Sequence, residues 1–171
     1  MARSSDPVRY EAIEPHNFAK VWPLIQAVVR PGDTYALDTD LSFAQGLELF
    51  CETAECAYMA MQGELVLGCF YLKQNQAGGG AHVCNCGYMV SVAARGRGIA
   101  RAMCEYSQEI ALERGYRAMQ FNFVVATNEV AIALWQNLGY EIVGRLPAAF
   151  RHPQVGYVDS LVMHKQLHGD D

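Results

Sequence analysis

Residues Asn85–Tyr116 read NCGYMVSVAARGRGIARAMCEYSQEIALERGY, and this stretch organises the rest of the chain. The apolar run Tyr88-Met89-Val90, continued by Val92, has the character of a buried strand. Arg95-Gly96-Arg97-Gly98 follows, and then a helical pattern unbroken until Gly115. A strand, a glycine-rich turn and a helix leave backbone N–H groups at the helix start without intrahelical partners. Those donors, the positive end of the helix dipole and the arginines make an anion site. Gly96 and Gly98 carry no Cβ, so a phosphate can approach the backbone closely. The turn reads as a pyrophosphate cradle. It lacks the Gly-Lys-Ser/Thr of a P-loop and the third glycine of the dinucleotide fingerprint.

Working outward, 171 residues with 51% hydrophobic and 18% charged side chains describe one globular domain, residues 1–171. A net charge of −5 argues against a general nucleic-acid binder, yet Arg95, Arg97 and Arg101 concentrate positive charge at the cradle. No apolar run approaches the roughly 20 residues of a membrane helix, and the first residues lack the apolar core of a secretory signal. The expectation is a cytoplasmic protein with no membrane or nucleic-acid partner. Cys51, Cys56, Cys69, Cys84, Cys86 and Cys104 complete no zinc spacing and read as reduced, buried thiols; no metal is expected.

In chain order, residues 8–14 read as a strand. Residues 17–30 read as a helix capped by Asn17, kinked at Pro23 and stopped by Pro31-Gly32. The loop 32–42 carries Asp33, Tyr35, Asp38 and Asp40, and Asp40 or Ser42 caps a second helix through about Glu52. Residues 57–62 and 65–74 form a hairpin about Gly63-Glu64. Residues 75–82 form a flexible connection, because three consecutive glycines resist regular structure. Strand 83–92 leads into the cradle. In the helix beyond it, Ile99, Met103, Tyr106, Ile110 and Ala111 make a buried stripe. Strand 116–125, helix 129–138, strand 140–147, a loop over 147–154 and strand 156–166 complete the chain.

This order resembles the GNAT fold, that of the Gcn5-related N-acetyltransferases. Arg95-Gly96-Arg97-Gly98-Ile99-Ala100 fits the family's Gln/Arg-x-x-Gly-x-Gly/Ala motif. TNEVAIALWQNLGYEIVG resembles its later signature, with Asn128 and Gly139-Tyr140 in place; Gly98 and Asn128 lie 30 residues apart, which suits the family. The resemblance implies an α/β fold with a mixed central sheet of six to seven strands and about four helices. It implies acetyl-CoA as cosubstrate and direct attack of a primary amine on the thioester. Backbone groups of Met89, Val90 and Val92 would meet the acetyl-pantetheine arm, residues Arg95 to Arg101 the pyrophosphate, and Asn128 the pantetheine. An N–H of Val90 or a neighbour would face the developing oxyanion.

The sequence departs from the family at the proton donor. The usual tyrosine, three residues before Leu-Gly, is Trp135, which cannot donate a proton; it is placed with the acyl donor. Tyr140 is the candidate replacement acid, with a packed core aromatic as its alternative, and Tyr157 is a further candidate. The strands flanking the cradle helix carry no carboxylate, so Asn85 and Asn122 are expected to position a water, with Asp159 and His152 facing them. The family builds its acceptor pocket from segments here spanning 32–42 and 146–157, which offers Asp33, Tyr35, Arg151 and His152 to a small-molecule or peptide amine. The competing expectations are a protein N-terminus or lysine as acceptor, and a degenerate CoA-binding sensor. Exposed sheet edges make a homodimer a candidate assembly.

Overall fold

The computed structural model describes residues 6–167. They form one seven-stranded sheet in the order β1-β2-β3-β4-β5-β7-β6. Strands β1 (Arg9–Ala12), β2 (Cys56–Gln62), β3 (Leu65–Gln74) and β4 (Val83–Val90) make an antiparallel first half. Strands β5 (Ala118–Val125), β6 (Glu141–His152) and β7 (Gly156–Gln166) make an antiparallel second half. The halves meet where β4 runs parallel to β5.

Two layers cover the sheet, each through an amphipathic stripe. Helix α1 (Phe18–Val29) buries Phe18, Val21, Leu24, Ile25, Val28 and Val29, a helical spacing, against Met59, Met61, Cys69 and Met89. It continues through Pro23 and ends before Gly32. Asn17 precedes it without capping by its side chain, which instead bonds Glu14 N–H and Ala12 O. Helix α2 (Phe43–Leu47) starts with a capping box, Ser42 to Gln45, and widens into a π turn over Glu48–Thr53. On the other face, α3 (Ile99–Glu113) buries Ile99, Met103, Cys104, Ser107, Ile110 and Ala111. Tyr106 of the expected stripe is only half-buried and stacks on Tyr10 at 4.1 Å. Helix α4 (Glu129–Asn137) buries Trp135.

Four further expectations are corrected. The three glycines 78–80 form a 3-10 turn. Val92 lies in a 3-10 turn beyond β4, because Ala94 N–H and Arg95 N–H bond back to Ser91 and Val92. Residues 147–152 continue β6, paired through Phe150↔Val158 and His152↔Gly156. Cys51 and Cys56 are half-buried; the other four cysteines are buried, and all six are free thiols.

Candidate active site

The site begins where the sheet comes apart. β4 and β5 pair only over Val83–Asn85 and Ala118–Gln120, although each strand runs five residues further. β5 carries an irregularity between Phe121 and Val124 in its register with β7, and a bulged strand bends away from its neighbour. The last rung is supplied by a side chain: Asn85 Nδ2 donates to Gln120 O at 2.9 Å. Beyond it, the strands part around a cleft of about 740 Å³ lined from both faces of the sheet.

The register decides which backbone groups face this cleft. Asn75 N–H donates to Val83 O and Ser91 N–H to Leu67 O, so odd-numbered residues of β4 direct their N–H and C=O to β3. The even-numbered residues Cys86, Tyr88 and Val90 therefore point theirs toward the missing rungs. Val90, expected at the acyl arm, is thus among the residues whose backbone groups are aimed into the gap. Met89, also expected there, faces β3 with its backbone while its buried side chain lines the cleft.

At the α3 end, Gly96 and Gly98 adopt φ of +72° and +77°, and a Cβ built on either meets nothing within 4 Å. The first bond of α3 runs from Ala102 N–H to Gly98 O, so the N–H groups of Ile99, Ala100 and Arg101 have no intrahelical partner. Arg95, Gly96, Gly98, Ile99, Ala100 and Arg101 line the cleft. These residues fit the diphosphate of a CoA: open space over left-handed glycines, free donors and positive charge. Arg97 does not join them; its guanidinium donates to Gln62 Oε1 at 2.8 Å. Val92 is 66% exposed and does not line the cleft. Asn128 lines it, with Oδ1 accepting from Ala131 N–H at the start of α4.

Trp135 lines the cleft with its ring 5.1 Å from both Tyr88 and Phe121, forming an aromatic wall. The wall offers no proton. Tyr88 Oη sits 2.7 Å from Ser107 Oγ, whose own hydrogen is given to Cys104 O, so the phenol must be the donor in that pair.

Tyr140, expected as the acid, is packed behind this wall instead. It is 2% exposed, stacks on Phe121 at 4.3 Å and lies outside the cleft lining. Its hydroxyl donates to Met119 Sδ at 2.9 Å and accepts from Gln108 Nε2 at 3.4 Å. Burial, reinforced by Cys104, pushes its pKa far above the ordinary tyrosine value. Its N–H is tied to Trp135 O behind a left-handed Gly139, and its hydroxyl lies against Cys104 and Gln108 of α3. Tyr157 is exposed on the β6–β7 hairpin.

On the opposite face, the loop after α1 brings Asp33 and Tyr35 to the cleft, joined by Asn85 and Asn122. Asn122 is held by Gln120 Nε2 at 2.9 Å and by Asn75 Oδ1 at 2.7 Å. Arg151 and His152 are not in this group. Both lie near the tip of the β6–β7 hairpin, where His152 Nδ1 accepts from Gln154 N–H and Val155 N–H. Asp159 is tied to Ala148 N–H at 2.9 Å and to Arg145 at 2.8 Å, which together hold its carboxyl below the usual range.

Tyr71 is a cleft residue that the sequence reading missed. It pairs with Gly87, and a Cβ at Gly87 would come within 2.8 Å of Cε1, Cζ and Oη of the Tyr71 ring. A glycine inside an apolar strand, such as Gly87 in β4, is the available signal of such an approach. Tyr71 and Tyr35 both line the cleft. Burial raises both phenols, Tyr71 to about 12, so both are neutral at physiological pH.

Comparison with known proteins agrees with this geometry. The model of the acetyltransferase (GNAT) family matches residues 22–140. A GCN5-related N-acetyltransferase from Kribbella flavida shares 38% identity at a TM-score of 0.86, over 93% of this chain and 97% of that one. N-acetyltransferase aca1 of Schizosaccharomyces pombe is 28% identical over 151 residues, 78% of this chain and 72% of that protein. The fold is also that of a phosphinothricin acetyltransferase from Sinorhizobium meliloti in complex with AcCoA, at 18% identity and a TM-score of 0.80, over 93% of this chain and 88% of that one. A split sheet with an open glycine cradle at its α3 end, in a chain so matched over most of its length, belongs to the GNAT acetyltransferase family, the acetyl-CoA-dependent acyltransferases.

Proposed function

We propose that the acceptor is the primary amine of a small molecule, an amino-acid derivative foremost, which attacks the acyl carbonyl directly. The observation that carries this reading is the two-faced cleft. Its α3–α4 half carries the glycine cradle, Asn128 and Trp135, and its α1 half is lined by residues 33–37. A loop lining the acceptor half narrows it in favour of a compact amine over a folded protein's lysine. A free protein N-terminus is the competing acceptor.

Acetyl-CoA bound there supplies an acyl group already activated as a thioester. The chain's residues do the rest. Arg95, Arg101 and the α3 N-terminus hold the diphosphate, and Val90 N–H faces the carbonyl oxygen as charge develops on it. Trp135, Tyr88 and Phe121 exclude water from the thioester. An alkylamine with a pKa of roughly 10.4 arrives protonated at neutral pH. Asp33 attracts that cation, and a water held by Asn122, whose amide is fixed by Gln120 and Asn75, passes its first proton to solvent. A thiol of pKa roughly 8.5 leaves readily as thiolate, so the absence of a phenol at Trp135 is tolerable. The ammonium gives up two protons in all: the first leaves to solvent before attack, and the second, lost from nitrogen after attack, is the one the thiolate finally gains.

The test is mass spectrometry of an amine mixture (amino acids, polyamines, aminoglycosides, short peptides) incubated with protein and acetyl-CoA, with CoA release followed in parallel. One amine gaining one acetyl group is the expected result. Acetylation confined to peptide N-termini would transfer the reading to protein substrates. A cytoplasmic location and a homodimer complete the proposal. The latter is checked by light scattering, and its motive is the exposed β6 edge with Ile142, Val143 and Leu146 at 41–57% exposure.

A further inference from the structure

The tyrosines of this chain divide by what their hydroxyls touch. Tyr88, Tyr116 and Tyr140 are tied to Ser107, Glu55 and Met119. Tyr35 and Tyr71 are partly enclosed, line the cleft, and have no hydrogen-bond partner among the described residues. Among the described residues Ser160 Oγ is the one buried side-chain oxygen without a partner, so the Tyr35 and Tyr71 hydroxyls reach the open cleft, where a ligand can take the place of water.

Both are also held in place. The Tyr71 ring lies flat on Gly87, with its hydroxyl end rather than its base over the strand, and Phe50 meets it edge-on at 5.5 Å. This brings Oη over β4 between Cys86 and Tyr88, two residues whose backbone groups face the gap. Tyr35 reaches the same half of the cleft from the loop after α1. Asp33 is the only carboxylate among the cleft-lining residues, and the arginines sit at the CoA end. The acceptor half therefore pairs one anion, suited to an amine, with two neutral hydroxyls, suited to an oxygen.

We propose that Tyr71 and Tyr35 anchor the acceptor by donating hydrogen bonds to an oxygen of a carboxylate borne by the same carbon as its amine. The substrate class is then an α-amino acid or a close derivative rather than a plain alkylamine or a polyamine. This deepens the transferase reading above and rests on it. A site whose donors expect a substrate oxygen rejects the analogue lacking it far more strongly than a methylene-sized gap would.

The test uses matched pairs in which only the carboxylate is removed: alanine and ethylamine, valine and isobutylamine, phenylalanine and phenethylamine. Initial rates are measured with acetyl-CoA for the wild type, Tyr71→Phe and Tyr35→Phe. The phenylalanine ring keeps the contact with Gly87, so only the hydroxyl is lost. In at least one pair the amino acid is expected to exceed its amine about a hundredfold in kcat/KM. Each variant should shrink that ratio at least tenfold through the acceptor KM, with the KM for acetyl-CoA unchanged. A ratio indifferent to both variants, an amine as good as its amino acid in every pair, or a parallel loss of acetyl-CoA affinity would each overturn the proposal. No CoA release with any amine, including the broad mixture, is a different result and defeats the transferase reading itself.

Discussion

Alanine at Gly98 separates the cost of bending the backbone from the cost of losing the cradle. Gly98 has φ +77° and open space where an alanine methyl would stand, so steric overlap contributes nothing and the left-handed conformation contributes about 1–2 kcal/mol. Gly156, in the β6–β7 hairpin, has φ +82° and equally open surroundings. The two alanine variants should therefore lose the same stability, and for a chain of this length about 1–2 kcal/mol is a fall in Tm of roughly 2–8 °C. Only Gly98→Ala places its methyl where the diphosphate must sit against N–H groups. Losing one charge-assisted hydrogen bond of about 1.5–3 kcal/mol weakens CoA binding by a factor of roughly 10 to 150. Differential scanning fluorimetry without CoA gives the first quantity, and calorimetric titration with CoA the second. Equal CoA affinities for the two variants would refute the cradle assignment. Unequal losses of stability without CoA would refute the argument from φ.

Tyr140→Phe should keep kcat within about twofold and lose about 0.5–1.5 kcal/mol, because its hydroxyl is bonded to Met119 and Gln108 behind the aromatic wall; a tenfold fall in kcat with an unchanged melting curve would return it to the chemistry. Arg101→Gln should weaken CoA binding several-fold, while Arg97→Gln should leave it nearly unchanged, since that guanidinium is turned to Gln62; calorimetry of the pair decides, and equal losses would contradict the assignment. Stability should fall steeply on the alkaline side. Burial raises Tyr71 and Cys84 each to about 12, with Cys69, Cys86 and Tyr88 raised as well, so above about pH 9 the unfolded chain sheds protons that the folded chain keeps. Their contribution is complete below the ordinary values and is lost as pH climbs toward 12; a Tm that stays flat from pH 8 to pH 11 would contradict it.

The strand, cradle and helix from Asn85 onward are legible in the sequence because each rests on local chemistry. Apolar alternation, two left-handed glycines and a helical stripe need no knowledge of distant residues. The same holds for Ser42, whose capping partner Gln45 is three residues away. What depends on register is not legible in this way. Nothing local says that odd residues of β4 turn their backbone to β3, so sequence alone groups Met89 with Val90. Nothing local turns Arg97 toward Gln62, a residue 35 positions earlier. Residues 147–154, with a proline near each end, read as a loop; Pro147 and a left-handed Ala148 sit in a bulged edge strand, where ladder bonds can be missed. Tyr140 and Tyr71 exchange roles for a related reason. A tyrosine in a family signature draws notice, whereas a tyrosine opposite a strand glycine declares itself only once the hairpin register is known.

The three-rung seam between β4 and β5 has a mechanical consequence. It divides the sheet into two leaves bound together like a book along a short spine, with Asn85 stitching its upper end and Asn122 tied across to Asn75. A pantetheine arm lying between the leaves would restore rungs the protein omits, so CoA would act as a splice as well as a reagent. Amide hydrogens on the free margins of both leaves, Tyr88 and Val90 foremost, should then exchange more slowly with CoA bound, and the stiffening should extend into β7 through its pairing with β5.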